Sequence, residues 1–368
     1  MEVFNHEVTI TGQDGVPRTI RVPVVQELAR HGIQQPPKMF TYSSSRALNI
    51  GAISCPPEDF PSVSMARLGS KDPKEREREL QRLAAGAKEW GMLLVSDHGI
   101  PSSLLGDVKE VVNGFLRLPF KEKKECIGTY ANTDNMGYGR NFIASQNQVL
   151  DWVDRMSMVV APRESTDGLN VWPQKPSNFR EVIEKYADEG RKLVNGLLQA
   201  LAESLSLDPN AFVKFFDPKT SEIKARTNYY PPCPNPNSTI GLTQHSDSSA
   251  LTLLFQFFSP GGLQVLHTKD WVSVPWPTDG LLVVVGDLLE IMSNGRVKSP
   301  EHRVVTQADA ERCSIALFYN PPSSMEIEPV KSDDWEDAYK KVIVGDYIQH
   351  YYEVHPRIKQ AAIQFAML

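Results

Sequence analysis

Apolar side chains recur at helical intervals in four stretches of the chain. In the segment beginning at Lys71, Leu80, Leu83, Ala84 and Ala87 line up beneath a dense charged face, which predicts an amphipathic helix laid on a core. Leu104, Leu105, Val108, Val111, Val112 and Phe115 predict a second helix. The longest pattern follows an N-cap at Ser177 and runs through Val182, Ile183, Tyr186, Leu193, Leu197, Leu201 and Leu205, the spine of a scaffold. The fourth lies in the tail, from about Asp346 through Tyr347, His350, Tyr351 and Val354. Between the first two helices, GMLLVSDHGIP is an apolar run closed by Gly and Pro, read as a strand and turn. The first 60 residues carry scattered prolines, a Ser run at 43–45 and one helix-like patch around Val24–Ala29, and predict an arm wrapped around the body.

After Arg226 the pattern changes. Short apolar runs at 240–245, 250–257, 263–267, 271–275, 281–286, 302–306 and 314–320 are joined by Gly, Pro and Asn-Gly punctuation. Strands at this spacing imply a closed or double-sheet all-β unit. With no internal repeat, low-complexity tract or sharp linker, helices and strands are expected to form one integrated domain.

Composition narrows the function. The 368 residues are 41% hydrophobic and 23% charged, an ordinary globular balance. Lys and Arg number 39 against 45 Asp and Glu, so no basic surplus is present to neutralise a long phosphate footprint. Nucleic acid is not an expected partner. The four cysteines, Cys55, Cys126, Cys233 and Cys313, are far apart, which argues against a disulfide framework and a thiolate zinc site and for a reducing, cytoplasmic setting. MEVFNHEVTI lacks a signal-peptide pattern, and no apolar run approaches the roughly 18 residues of a membrane span. A monomer without a membrane partner is expected.

Between residues 227 and 268 the single formally charged side chain is Asp247. A lone carboxylate in so uncharged a segment must be paired, protonated or metal-bound to avoid a large desolvation cost. On a strand, positions i and i+2 share a face, so His245 and Asp247 can present a nitrogen and an oxygen to one ion. His302, after the turn-like SPE, is placed to add a third ligand. Two His and one carboxylate on one side of a metal leave open positions, which suits non-haem Fe(II) and oxygen activation; zinc is the competing metal. Ten residues on, Arg312 and Ser314 again share a strand face, a guanidinium and a hydroxyl suited to a carboxylate in a dry pocket; a surface salt bridge is the ordinary alternative for Arg312.

Asn228-Tyr-Tyr-Pro-Pro-Cys-Pro234, His245-x-Asp247, GGLQV at 261–265, GDLLEIMSNG at 286–295, KSPEHRV at 298–304 and Arg312-x-Ser314 together resemble the plant Fe(II)/2-oxoglutarate-dependent dioxygenases. The likeness is closest in style to the flavonol synthase, anthocyanidin synthase and senescence-related oxygenase group, and spans roughly residues 60 to 360. It implies a mainly β fold with supporting helices, a distorted double-stranded β-helix (jelly roll) backed by an N-terminal helical region. The chain then divides into an arm (1–60), a helical and mixed region packed on the core (61–225), a jelly-roll catalytic core (226–325) and a C-terminal helix closing the pocket (326–368). The resemblance makes His245, Asp247 and His302 iron ligands, and gives Arg312, Ser314, Tyr230 and Asn228 to 2-oxoglutarate. It implies O2 as co-substrate and ascorbate as reductant, with hydroxylation or desaturation of a small flavonoid-like, phenylpropanoid-like or alkaloid molecule coupled to formation of succinate and CO2.

Substrate contacts are expected from Phe318, from Arg155 and Ser157 in LDWVDRMSM, from Arg226, and from Asn141 and Phe142 after the GYG turn. Arg155 and Ser157 stand where flavonoid-oxidising relatives carry aromatics, and Arg226 suits a phenolate or carboxylate. Ser64 replaces an Asp usual in the family's first strand, Asp97 an Asn, and Val297 and Pro300 a Tyr and a Val. His98 and His267 are assigned to structure. Three rivals stay open: an ascorbate-dependent oxidase of the ethylene-forming type, a non-catalytic small-molecule-binding jelly roll, and a zinc hydrolase, which lacks an evident general base.

Overall fold

A computed structural model of the chain describes residues 5–11, 17–42, 50–126, 136–139, 148–277, 280–331, 336–354 and 362–368. The arm opens as an antiparallel hairpin of β1 (Asn5–Thr11) and β2 (Pro17–Pro23), which the sequence pattern did not predict, and continues into α1 (Val25–Arg30) at the expected patch. Two backbone N–H groups at the start of α1, those of Val25 and Gln26, donate to the Asp154 carboxylate at 3.3 and 2.8 Å. This satisfies donors every helix start leaves over and pins the arm to the body.

Two short strands follow, β3 (Ile53–Ser54) and β4 (Ser62–Ser64), then α2 (Met65–Leu68). Ser64 caps α2 by accepting from Arg67 N–H, and its Oγ donates to Asp97 Oδ2 at 2.6 Å, so two departures from the family pattern meet in one hydrogen bond. The charged helix α3 (Pro73–Glu89) starts at Asp72, whose side chain accepts from Lys74 N–H, and buries Leu80, Leu83 and Ala87. Next come β5 (Met92–Ser96), α4 (Ser102–Arg117), α5 (Phe120–Lys123), β6 (Gly137–Gly139) and β7 (Asp154–Ala161). The spine is α6 (Phe179–Ser204), whose N-cap is Asn178, one residue later than the sequence suggests.

From β8 (Glu222–Tyr230) onward the chain is mostly strand: β9 (Ile240–His245), β10 (Leu251–Phe258), β11 (Leu263–His267), β12 (Asp270–Ser273) and β13 (Leu281–Val285). The short helix α7 (Asp287–Met292) intervenes before β14 (His302–Val305) and β15 (Arg312–Asn320). Another helix, α8 (Val344–Val354), covers the end of the barrel. Two sheets result, one of eight strands in the order β4-β5-β13-β10-β15-β8-β7-β6 and one of five in the order β3-β12-β11-β14-β9. They face each other as a jelly roll.

Period-two alternation sorts the strands of the large sheet. Leu251, Leu253 and Phe255 of β10 and Ile315, Leu317 and Tyr319 of β15 face the helices in the main core. Gly190 of α6 sits so close to this face that a Cβ there would fall 2.7 Å from Leu317 Cδ1. The opposite face, with Thr252 and Leu254 of β10 and Arg312, Ser314, Ala316 and Phe318 of β15, turns to a cavity between the sheets. Among the described residues, no helix is long and apolar enough to cross a membrane.

Candidate active site

The ladder between β9 and β14 sets His302 directly opposite His245, and the chain leaving β9 brings Asp247 back to both. Asp247 Oδ1 lies 3.8 Å from His245 Nε2 and 3.7 Å from His302 Nε2. The ligand atoms of the three lie within 4.8 Å of one another, a group that could hold a metal ion. Both imidazoles are oriented from behind: His245 Nδ1 meets Thr243 O at 2.9 Å and His302 Nδ1 meets Pro300 O at 3.2 Å. A carbonyl accepts, so each Nδ1 carries the proton and each Nε2 offers its lone pair toward Asp247. The donor set therefore fits a divalent cation, with two imidazole nitrogens and a carboxylate oxygen on one side.

The Asp247 loop is held from α7 and α8. Asp287 N–H, at the start of α7, donates to Asp247 O at 2.8 Å; Ser246 Oγ and Tyr347 OH donate to Asp287 Oδ2 at 3.1 and 2.8 Å; and Tyr351 OH donates to Ser246 O at 2.7 Å. Burial and the adjoining Asp287 carboxylate keep the Tyr347 phenol protonated far above its usual range. Gly286, which joins β13 to α7, packs so tightly that a Cβ would fall 1.9 Å from Ser249 O.

Arg312 enters the cavity from the facing sheet and is 2% exposed. Its Nε donates to Gln256 Oε1 at 2.7 Å, its Nη1 to Ser314 Oγ at 3.4 Å, and its guanidinium lies 5.0 Å from the centre of the Tyr230 ring. Among the described residues no carboxylate lies within 4 Å of it, and burial lowers its pKa from the ordinary value. A surface ion pair is thus excluded, and the buried cation faces the cavity. Register pairs Arg312 with Tyr230 and Ser314 with Asn228, so the four form two adjacent rungs across β15 and β8. Asn228 Oδ1, buried, finds no partner among the described residues. These groups fit a dicarboxylate's far end. Gln256 was not identified from sequence, although Thr252, Leu254 and Gln256 follow the same two-residue period.

Farther along the same strands, Phe318, Arg226 and Arg155 line the cavity. Ser157 is a correction: it shares the cavity-facing side of β7 with Arg155 but is not itself among the lining residues, its hydroxyl being taken up by its cross-strand partner Arg226, whose Nε donates to Ser157 Oγ at 2.9 Å. Asn141 and Phe142 lie outside the described residues. Sequence reading missed Lys224, Glu222 and Asn320 on the outer rungs, and the part played by Tyr352 of α8. Stepping by two from Asn228 and from Ser314 would have found the first three. His98 and His267 are structural as expected: His98 Nδ1 accepts from Ile100 N–H at 3.0 Å, and His267 stacks on Trp90 at 3.8 Å.

Two His and one carboxylate grouped on one side of an open position are the arrangement of the non-haem Fe(II) oxygenases. Sequence profiles agree: residues 224–321 match the 2OG-Fe(II) oxygenase superfamily, and residues 60–175 match the non-haem dioxygenase in morphine synthesis N-terminal family. Codeine O-demethylase of Papaver somniferum is 36% identical over 317 residues, 85% of this chain and 86% of that one. Protein SRG1 of Arabidopsis thaliana is 36% identical over 316 residues, covering 85% of this chain and 87% of its own length. The crystal structure of JOX2 in complex with 2OG, Fe and JA superposes with a TM-score of 0.82 at 27% identity, over 94% of this chain and 98% of that one. The chain belongs to the plant Fe(II)- and 2-oxoglutarate-dependent dioxygenase family, and is an oxidoreductase that uses both.

Proposed function

We propose that His245, Asp247 and His302 hold the iron, that Arg312 and Ser314 with Tyr230 and Asn228 hold the distal carboxylate of 2-oxoglutarate, and that the enzyme hydroxylates or desaturates a small plant metabolite. The observation that carries this reading is the convergence of two Nε2 atoms on one carboxylate oxygen, at 3.7 and 3.8 Å, opposite a buried guanidinium that has no carboxylate partner among the described residues. When bound, the iron and the ketoacid would supply the oxidising chemistry, in which O2 gives one oxygen to succinate, with loss of CO2, and the other to the substrate on hydroxylation or to water on desaturation.

The chain's own residues position and exclude. Thr243 O and Pro300 O fix the imidazole rings, and the Asp287 network fixes the Asp247 loop. Arg312, kept ready by Gln256, captures the carboxylate in a water-poor wall, where a charge-assisted pair is stronger than in solvent. Tyr351 and Tyr352 of α8 cover the substrate side. Relatives named as O-demethylases of codeine and of flavonoids, the latter from Ocimum basilicum and 33% identical over 336 residues, put ring-bearing molecules first in a substrate screen.

The test is an anaerobic titration of the protein with Fe(II) and then 2-oxoglutarate, following the visible band that appears when the ketoacid chelates iron. A one-to-one band, lost in Asp247→Ala, supports the reading. Iron binding without a band turns the assignment to the ascorbate-dependent or the non-catalytic alternative.

A further inference from the structure

The cavity has two halves of different electrical character. In the inner half the charges balance once the proposed ligands are counted: Fe(II) and Arg312 are positive, Asp247 and the two carboxylates of 2-oxoglutarate negative. The outer half does not balance. Arg155, Lys224 and Arg226 all face it, against Asp151 and Glu222.

Both acids are already engaged. Asp151 takes Arg155 Nη2 at 3.2 Å on one oxygen, and Thr243 N–H and Oγ1 at 3.0 and 2.5 Å on the other. Glu222 accepts from Asn320 Nδ2 at 3.3 Å. Lys224 is 9% exposed, and its side chain makes no hydrogen bond or ion pair among the described residues. Arg226 is held in place rather than neutralised: Ser157 accepts from its Nε at 2.9 Å, and its guanidinium lies 5.2 Å from the centre of the Phe318 ring. The field is felt nearby. Burial alone would raise the Tyr352 phenol, yet the charges of Arg226 and Lys224, with a hydrogen bond from Arg226, outweigh it and hold the group below its ordinary pKa. Such a surplus in a desolvated wall is costly unless a ligand of opposite sign completes it.

Building on the proposed iron and 2-oxoglutarate assignments, we propose that the organic substrate carries an acid group, a carboxylate or comparable oxyanion, which docks between Arg226, Lys224 and Arg155. Register places Arg226 and Lys224 one to two rungs beyond the 2-oxoglutarate rungs, Ala316 pairing with Arg226 and Phe318 with Lys224, while Arg155, paired with Asn228 and bonded to Asp151, borders the site on its inner side. Two residues of a strand span about 7 Å, so the acid cannot use Arg312 as well. The remaining wall, Phe318, Leu254, Val284 and Ile348, is apolar and accepts a hydrocarbon or aromatic body. A protonated amine, the usual charge state of an alkaloid, meets like charge there.

The test uses the Fe(II)–2-oxoglutarate enzyme without oxygen. Three skeletons, 3-phenylpropanoate, 1-naphthylacetate and cyclopentylacetate, are titrated by calorimetry, each beside its methyl ester and the amine of the same skeleton, with 4-nitrophenolate as the phenolate probe. The acid of at least one skeleton should bind about tenfold or more tighter than its ester, with the amine weakest, as expected when a buried charge gains its partner. Lys224→Met and Arg226→Gln should each remove most of that preference while the ester's affinity is kept, and Arg226→Lys should restore part of it. Tight binding of 4-nitrophenolate with the same dependence on both residues names a phenolate as the oxyanion. An ester or amine that binds as well as its acid, an acid preference that survives in both variants, or no binding by any oxyanion overturns the proposal. The ketoacid band, read in every variant, separates the outcomes: its absence in the unmodified enzyme refutes the iron and 2-oxoglutarate assignment, whereas its presence without acid preference refutes this subsite alone.

Discussion

Replacing Arg312 by Met deletes the one charge that faces 2-oxoglutarate's far end while keeping the side chain's apolar length. The guanidinium is 2% exposed and has no carboxylate partner among the described residues, so its pair with an incoming carboxylate is formed away from water. A hydrogen bond to a charged group contributes about 1.5–3 kcal/mol, which corresponds to a roughly 10- to 150-fold weaker dissociation constant. Thermal shift reads this directly. At a concentration 100 times its dissociation constant, a ligand stabilises the folded protein by about 2.7 kcal/mol; after a 100-fold loss, the same concentration gives about 0.4 kcal/mol. With an unfolding entropy of roughly 2.1 cal/mol/K per residue over 368 residues, the increase in Tm on adding 2-oxoglutarate should fall from about 3–4 °C to about half a degree. Iron affinity should stay, because no iron ligand is altered. A change in 2-oxoglutarate affinity smaller than about threefold, far below the range for a lost charged bond, would falsify the clamp; so would an equal loss of affinity for the organic substrate.

Three further outcomes are expected. Gly286→Ala, which sets a methyl group 1.9 Å from Ser249 O, should lower unfolding stability by about 3 kcal/mol or more in urea titration, and near-normal stability would refute the tight packing at that turn. Tyr347→Phe removes a 2.8 Å hydrogen bond to the buried Asp287 carboxylate and should cost about 1.5–3 kcal/mol by the same measurement. Lys123 is held by burial at a pKa of about 8, against 10.5 ordinarily, although Asp154 and Glu27 pull the other way. Below pH 8 it is charged in both native and unfolded chains; between about pH 8 and 10.5 only the unfolded chain keeps the proton, so stability rises with pH, by about 3 kcal/mol in full. The difference in unfolding free energy between the unmodified protein and Lys123→Met should be flat below pH 8 and grow by that amount above it, and a flat difference throughout rules the shift out.

The triad was legible because Asp247 stands alone in an uncharged segment, and desolvation leaves few reasons for such a carboxylate. Arg312-x-Ser314 was legible because the strand period puts both on one face. The outer cavity was harder to read for the reason that makes it chemically interesting. The inward row of β8 is Glu222, Lys224, Arg226 and Asn228, so a strand facing a polar cavity reads like one facing solvent, and the start of the β region was placed at Arg226. The helix α7 was missed because all of Asp287–Met292 is buried, leaving no polar side to reveal a helical period. The β1–β2 hairpin was obscured by prolines and by its separation from the main sheets. Ser157 does share a face with Arg155, but its pairing with Arg226, which takes up its hydroxyl, depends on strand register that the sequence does not carry.

The two-rung division of β8 and β15 has a consequence for how this scaffold can change its repertoire. Tyr230 with Arg312 and Asn228 with Ser314 sit at one end of the paired strands; Arg226 with Ala316, Lys224 with Phe318 and Glu222 with Asn320 sit at the other. On the proposed assignments, one ladder of backbone hydrogen bonds carries the co-substrate site and the substrate site side by side, so the side chains of the outer rungs can change while those of the inner rungs stay. Selection, or a designer, can exchange three outer pairs as a small combinatorial alphabet and obtain new substrate preferences without rebuilding the chemistry that oxidises them.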